Sequence, residues 1–208
     1  MAEMKILLTG GSGRLGTELQ KCMKLDAPSH NQLDITGEIK KGEYDLVIHA
    51  AGYTDVRKAE YEGKDDCYKV NVFGTRNMVQ TYWNVPFVYI SSEYAKFPEI
   101  NYYSSTKAEG EQVVKDNCLS YLIIRTTFKP RPYPYDRAWA DQYTQGDYVD
   151  VIAKLIAEEI KNWHTVSKMI YVGTGRKTIY ELAKQTRPDV KKAYLIGLSD
   201  LRIPPDYI

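Results

Sequence analysis

A glycine-rich turn near the start of the chain constrains its fold more than any other feature. Gly10, Gly13 and Gly16 lie directly between an apolar run, Lys5–Leu8, and an amphipathic pattern that begins at Arg14. A buried strand followed by a helix explains both patterns. Glycines permit the tight turn and the close helix–strand packing of such a connection, and the helix N-terminus then favours a pyrophosphate. A tight turn without a ligand is the alternative interpretation.

Beyond the turn, apolar runs typical of strands alternate with helical patterns. Strands are predicted at Asp45–Ala50, Phe87–Ile90, Tyr121–Arg125 and Lys168–Val172, with a weak one at Asn31–Asp34, and helices at Lys64–Trp83, Tyr103–Asn117 and Val149–Trp163. This alternation predicts right-handed βαβ units around a parallel sheet. We therefore predict an α/β protein with a Rossmann-like doubly wound parallel sheet. Residues 1–128 are expected to form its NAD(P)-binding domain. Residues 129–208 are expected to form a small C-terminal substrate lobe plus the closing strand and helices of the same compact unit.

Two helices carry more detailed signals. In the helix predicted at Lys64–Trp83, the apolar residues expected on the inner face are Val70, Phe73, Met78 and Val79. Further on, Thr178 and Glu181 have the spacing of a capping box, which predicts that a helix begins there.

Composition narrows the class of protein. The 208 residues carry a net charge of +1, which gives no electrostatic footprint for binding nucleic acid. No apolar run approaches membrane-spanning length and no signal peptide precedes the first strand, so we expect a cytoplasmic protein without a membrane partner. The three cysteines and three histidines lack disulfide or metal-ligand spacing, so no metal site is expected.

Tyr103 and Lys107 form a candidate acid–base pair. They are four residues apart in a predicted helix, so their side chains share one face. An ammonium stabilises phenolate, and the pair therefore predicts a tyrosine pKa below its usual value of about 10. Such a phenol can donate a proton to a carbonyl oxygen or remove one from an alcohol.

The cofactor preference depends on two positions. In dinucleotide-binding folds an acidic residue that binds the adenosine ribose closes the second strand. Here that region is Ala27–His30 and ends without a carboxylate, whereas Arg14 follows the glycine turn, within reach of a 2′-phosphate. We therefore favour NADP(H) over NAD(H) as the cofactor, with a solvated Arg14 as the alternative.

Six motifs together resemble the extended short-chain dehydrogenase/reductase superfamily, and more closely its dTDP-4-dehydrorhamnose reductase branch. They are residues 9–16 (TGGSGRLG), 33–36 (LDIT), 49–60 (HAAGYTDVRKAE), 71–75 (NVFGT), 90–94 (ISSEY) and 103–111 (YSSTKAEGE). The resemblance covers about residues 4–128 well and the remainder loosely. It implies a nucleotide-linked 4-keto-6-deoxy sugar as the substrate and NAD(P)H as the reductant.

The resemblance also implies roles for individual residues. The catalytic residues would be Ser92, which positions the substrate oxygen, Tyr103, which donates the proton, and Lys107, which lowers the tyrosine pKa and holds the nicotinamide ribose. Cofactor-binding positions would be Gly10, Ser12, Gly13, Arg14, Leu15, Gly16, Asp34, Ile35, Ala50, Ala51, Gly52, Asn71, Tyr103 and Lys107. Substrate-binding positions would be Glu93, Thr54 and Phe128; a solvated carboxylate at Glu93 and a core aromatic at Phe128 are the alternatives.

The chain departs from the family pattern in its substrate half. Only ten residues separate Ser92 from Tyr103, and the lobe after Phe128 is short. Its Tyr- and Arg-rich segment, around Pro130–Gly146, has two interpretations. It is either a compact lid, in which Arg131 or Arg137 pairs with the nucleotide diphosphate, or a loop packed on its own aromatic side chains. The leading hypothesis is a sugar-nucleotide reductase in deoxysugar or polysaccharide synthesis, and a homodimer is expected. A non-catalytic cofactor-binding regulatory subunit and an epimerase or dehydratase remain as alternatives.

Overall fold

The computed structural model describes residues 4–195 of the chain. The strands are β1 (Ile6–Thr9), β2 (Leu46–His49), β3 (Phe87–Ser92), β4 (Tyr121–Thr126), β5 (Phe128–Lys129), β6 (Arg137–Trp139), β7 (Tyr143–Thr144), β8 (Asp147–Tyr148), β9 (Lys168–Tyr171), β10 (Lys177–Thr178) and β11 (Lys191–Ala193). The α-helices are α1 (Arg14–Cys22), α2 (Val56–Glu60), α3 (Lys64–Tyr68), α4 (Thr75–Thr81), α5 (Tyr102–Asn117), α6 (Val149–Lys161) and α7 (Ile179–Lys184). A π-helical turn, Lys69–Gly74, joins α3 to α4, and a 3₁₀-helix, Glu93–Lys96, follows β3.

A five-stranded parallel sheet forms the centre of the protein, in the order β1-β2-β3-β4-β9. On the free side of β1, Leu7 makes a single parallel bridge to Asp26. After β1 the chain first passes Asp26 on one side of that strand and then crosses over to form β2 on its other side. This reversal makes the carboxyl ends of β1 and β2 a topological switch point, where ligands bind in open α/β sheets.

Helices cover both faces of the sheet, as the predicted doubly wound fold requires. On one face, Leu15 and Leu19 of α1 and Ile152 and Ile156 of α6 pack against the sheet. On the other face, the α3–α4 segment and α5 close a second core. Strands β1, β2 and β3 are buried on both sides, which explains why their sequences are continuous apolar runs.

The strand predicted at Asn31–Asp34 is wrong. Ladder pairing in this part of the chain is limited to the bridge at Asp26, whose backbone exchanges hydrogen bonds with Ile6 and Leu8. The predicted position instead forms turns, in which the Asp34 carboxylate accepts hydrogen bonds from the backbone and hydroxyl of Thr36. Local side-chain bonding of this kind competes with strand pairing.

The helix predicted at Lys64–Trp83 is confirmed as a helical segment, but part of its predicted inner face is wrong. Met78 and Val79 are buried, whereas Phe73 is 42% exposed. The π-helical turn inserts an extra residue into the helical repeat, so positions before and after it do not share one stripe. Asn71 and Val72 take the buried positions instead.

The residues after β5 divide between the central unit and a small lobe. Strand β9 pairs with β4 and completes the central sheet, and helix α6 packs on one face of it. The short strand pairs β5–β8, β6–β11 and β7–β10, with α7, surround a separate cluster that includes Tyr133, Tyr148 and Leu182. The predicted capping box of α7 is confirmed, with Thr178 and Glu181 bonding reciprocally. Among the described residues, no helix is long and apolar enough to span a membrane.

Candidate active site

A cleft of about 1150 Å³ opens at the carboxyl ends of the first four strands. Its walls are the glycine turn after β1, the loop after β2 from Ala50 to Arg57, the end of β3, and the Thr126–Lys129 segment after β4. The cations Arg14, Arg57, Lys107 and Lys129 line it. No Asp or Glu of the described residues does so, and the cleft therefore favours an anionic ligand.

The glycine turn has the geometry that a dinucleotide requires. Gly10 has a φ of 74°, and a Cβ there would lie 2.6 Å from the backbone nitrogen of Ala51. A Cβ at Gly16 would lie 2.2 Å from the Gly10 carbonyl oxygen, so only glycine lets α1 pack this closely on the turn. Helix α1 then points its N-terminus into the cleft, and these residues fit a pyrophosphate-containing cofactor.

Ser92, Tyr103 and Lys107 meet on one wall of the cleft. Asn101 caps α5 by accepting hydrogen bonds from the backbone and hydroxyl of Ser104, which fixes the turn that carries Tyr103. Ser92 ends β3, where its oxygen accepts a hydrogen bond from the backbone of Tyr94, and its hydroxyl bonds Tyr103. Strand end and helix start thereby hold a hydroxyl and a phenol against each other.

The protonation of Tyr103 differs from the prediction. Burial raises its pKa to about 12, only partly offset by the hydrogen bond from Ser92. The expectation that Lys107 lowers this pKa is wrong for this arrangement, because the Lys107 ammonium bonds other groups. Its Nζ lies 2.9 Å from Tyr89 Oη and 2.9 Å from the Ile90 carbonyl oxygen. Tyr103 is consequently a protonated phenol at neutral pH, which suits a proton donor.

Most of the predicted site residues line this cleft. They are Gly10, Ser12, Gly13, Arg14, Leu15, Gly16, Ile35, Ala50, Ala51, Gly52, Thr54, Ser92, Tyr103, Lys107 and Phe128. Three do not line it: Asp34, Asn71 and Glu93. Buried Asn71 accepts a hydrogen bond from the backbone of Tyr53 and donates one to Thr106 Oγ1, so it joins the β2 loop to α5.

Glu93 points away from the cleft. It is buried, and its carboxylate accepts hydrogen bonds from the Thr144 hydroxyl at 3.3 Å and from the backbone of Gln145. The solvated alternative at this position is wrong, because the side chain is buried between the catalytic turn and the C-terminal lobe.

Sequence reasoning missed several residues of the cleft, among them Tyr53, Arg57, Lys129 and Trp139. Arg57 belongs to a quoted motif and lies beyond a strand end, a signal that was available. Trp139 belongs to the Tyr- and Arg-rich segment. Arg131 of the same segment, a candidate for binding the diphosphate, forms an ion pair with Asp150 at 2.9 Å. The side chains of that segment divide between the cleft and the core of the lobe in a way that sequence periodicity does not reveal.

A parallel sheet with a glycine turn at its switch point, facing a Tyr–Lys helix, defines a chain of the extended short-chain dehydrogenase/reductase type. Comparison with known families narrows this class. The family model described as RmlD substrate binding domain matches residues 4–129, and the chain belongs to that family.

Individual relatives agree with the family. The chain is 26% identical to dTDP-4-dehydrorhamnose reductase of Salmonella typhimurium, over 60% of this chain and 51% of that protein. It is 28% identical to the enzyme of the same name from Mycolicibacterium smegmatis, over 73% of this chain and 50% of that protein. A crystal structure of the Bacillus anthracis dTDP-4-dehydrorhamnose reductase in complex with NADP is 25% identical, with a TM-score of 0.81 over 100% of this chain and 89% of that one. The chain spans about half the length of the curated relatives it matches.

Proposed function

We propose that this protein reduces a nucleotide-linked 4-keto-6-deoxy sugar with NADPH. The observation that carries the proposal is the placement of Ser92, Tyr103 and Lys107 on one wall of the cleft that the glycine turn closes. Relatives named dTDP-4-dehydrorhamnose reductase support the substrate class, and the similar NADP complex supports the cofactor. The lining of cations without carboxylates suits two ligands that both carry a diphosphate.

The residues of the chain divide the work as follows. The backbone of the glycine turn and the N-terminus of α1 hold the pyrophosphate. When bound, the nicotinamide supplies the hydride. Ser92 orients the carbonyl oxygen of the sugar, and Tyr103 donates its phenolic proton to that oxygen. Lys107 places a positive charge on the same wall of the cleft, which suits an anionic ligand.

Removing the phenolic proton tests this mechanism. Tyr103→Phe should lower NADPH oxidation with a dTDP-4-keto-6-deoxy sugar by at least about 100-fold, the usual contribution of a general acid. NADPH binding, measured by fluorescence, should survive. Tyr102→Phe is the matched control, because Tyr102 is the preceding residue of α5 and does not line the cleft. Full turnover by Tyr103→Phe would rule the mechanism out.

The two alternatives have different standing. An epimerase or dehydratase is less favoured, because Glu93 turns away from a cleft whose described lining has no carboxylate. The non-catalytic regulatory subunit is retained as the second candidate, since the match to the Salmonella typhimurium relative covers only 51% of that protein. Tight NADPH binding without turnover on any nucleotide 4-keto sugar would favour it.

Cofactor preference, domain division and assembly complete the proposal. Arg14 and His30 line the cleft beside Pro28, where an adenosine 2′-phosphate would be bound. NADP(H) should therefore bind more tightly than NAD(H), and a titration giving the reverse order would overturn this preference. We further propose residues 129–208, of which 196–208 lie outside the described residues, as the reduced substrate-binding lobe plus the closing strand and helices of the same compact unit. We also propose a homodimer, which light scattering would test.

A further inference from the structure

A chain of buried hydrogen bonds runs beneath the cleft, from the catalytic lysine to the glycine turn. Lys107 Nζ lies 2.9 Å from Tyr89 Oη, and the Tyr89 hydroxyl bonds Thr75. Thr75 Oγ1 lies 3.1 Å from Nε2 of His49, whose Nδ1 lies 2.6 Å from Thr9 Oγ1. All five side chains are 5% exposed or less.

The donor in each bond follows from the chemistry of the groups. An ammonium only donates, so Tyr89 accepts from Lys107, and Thr75 is the second hydrogen-bond partner of the Tyr89 hydroxyl. Thr75 in turn donates to the Asn71 carbonyl at 2.7 Å. Burial lowers the pKa of His49 to about 3, so the ring is neutral, with Nε2 donating to Thr75 and Nδ1 accepting from Thr9.

The far end of the chain reaches the cofactor half of the cleft. Thr9 Oγ1 accepts from the Ala51 backbone nitrogen at 3.3 Å, and both residues line the cleft. The near end depends on Gly110 of α5, where a Cβ would lie 2.4 Å from Tyr89 Oη. Helix α5 therefore leaves room for this hydroxyl below Lys107.

We propose that Tyr89 is a positioning residue that holds the Lys107 side chain at the cleft wall in its ammonium form. The inference rests on the proposed reductase function for its catalytic meaning. Two of the three ammonium protons are used by Tyr89 and the Ile90 carbonyl, so the third is free to point toward a ligand in the cleft. Without the Tyr89 oxygen, one donor of a buried charge would lack its partner.

Lys107 loses its proton more readily than an exposed lysine, so the hydrogen bond to Tyr89 matters for keeping its ammonium form. Burial lowers the pKa of Lys107 to about 8, against the attraction of Glu111 on the same helix and of Cys67 on α3. His49 on β2 faces it as a neutral ring, and burial raises the pKa of Tyr89 far enough to keep that phenol protonated. Tyr103, one turn earlier on α5, is likewise protonated.

Tyr89→Phe removes one oxygen and keeps the ring that packs against His49. The Lys107 titration midpoint, followed by NMR of the lysine Nζ in the protein without substrate, should fall by about one pH unit. Tyr82→Phe is the matched control, because Tyr82 is equally buried and its hydroxyl accepts from Gly42 instead. In turnover, the alkaline limb of the Tyr89→Phe rate profile should move to lower pH by the same amount.

Each outcome decides between the two proposals. An unchanged Lys107 midpoint in Tyr89→Phe, or an equal change in Tyr82→Phe, overturns the role of Tyr89. A lowered midpoint in a protein without reductase turnover supports that role and counts against the reductase. Gly110→Ala gives a second test, because its Cβ would lie 2.4 Å from Tyr89 Oη and 2.9 Å from the Asn71 carbonyl oxygen. The displaced Tyr89 hydroxyl should also lower the Lys107 midpoint.

Discussion

Single residues set the cofactor half of the site, and Gly16 is the clearest case. Its missing side chain lets α1 pack on the carbonyl of Gly10, which holds the turn in shape. This requirement was readable from the sequence, because strand, glycines and helix follow each other directly. The partner of Lys107 was not readable, since Tyr89 lies 18 residues away on a different element and meets it only through tertiary packing.

Gly16→Ala should damage both stability and cofactor binding. The new Cβ would meet Gly10 O at 2.2 Å and force α1 outward, at a cost of about 1–3 kcal/mol in the free energy of unfolding. Affinity for NADPH should fall with it, because the helix N-terminus moves. Gly37→Ala is the control, since its Cβ would lie 3.7 Å from the nearest atom. Equal stability of the two variants, measured by urea unfolding, would contradict the packing argument.

Helix α5 is held against the sheet by a buried ion pair that periodicity does not reveal. Arg125 of β4 donates two hydrogen bonds of 2.7 Å to the Glu111 carboxylate, which also accepts from Ser91 at 2.6 Å. The guanidinium bonds Tyr171 of β9 as well. Because Glu111 lies one turn after Lys107, this pair fixes the helix that carries the catalytic residues to three strands.

Glu111→Gln should therefore destabilise the protein strongly. It leaves the Arg125 charge, whose side chain is 11% exposed, without its carboxylate, and breaking such a buried pair costs about 3–5 kcal/mol. Glu109→Gln, on the same helix but bonded only to the partly exposed Tyr68 in the described structure, should cost less than about 1 kcal/mol. Comparable losses in chemical denaturation would refute a special role for the Glu111 pair.

Most elements of the sheet were predictable, and the failures have physical causes. The strands β1 to β4 and helices α5 and α6 were predicted within about two residues, because buried parallel strands are apolar and α6 is amphipathic. The π-helical turn was not predictable, because it depends on how Asn71 bonds the β2 loop and α5 together. The bridge at Asp26 was missed because one paired residue leaves no periodic pattern.

At the scale of the whole molecule, Glu93 connects the catalytic turn to the C-terminal lobe. It follows Ser92 directly and bonds Thr144 on β7 and the backbone of Gln145. Residues more than 50 positions apart in the chain thus share one buried carboxylate. The position of the lobe and that of the catalytic serine are coupled through this contact.

The pH dependence of stability tests this link. Burial raises the pKa of Glu93 above its ordinary value of 4.5, with the bonds to Gln145 and Thr144 opposing the shift. Between 4.5 and the raised pKa the folded protein binds more protons than the unfolded chain, so this group makes stability fall as pH rises through that window. Gln resembles the protonated form, and Glu93→Gln should abolish that fall and be at least as stable as the parent at pH 8.

Two further variants separate this structural link from a direct contact with the sugar. Glu99→Gln, an exposed carboxylate just beyond the same turn, should keep the parent pH profile of thermal unfolding. Thr144→Val should lower stability at pH 8, because the ionised carboxylate loses a buried donor. If Glu93→Gln instead raised the KM for the sugar nucleotide tenfold with an unchanged stability profile, Glu93 would be a substrate ligand. The lobe would then have to be held to the catalytic turn by other contacts.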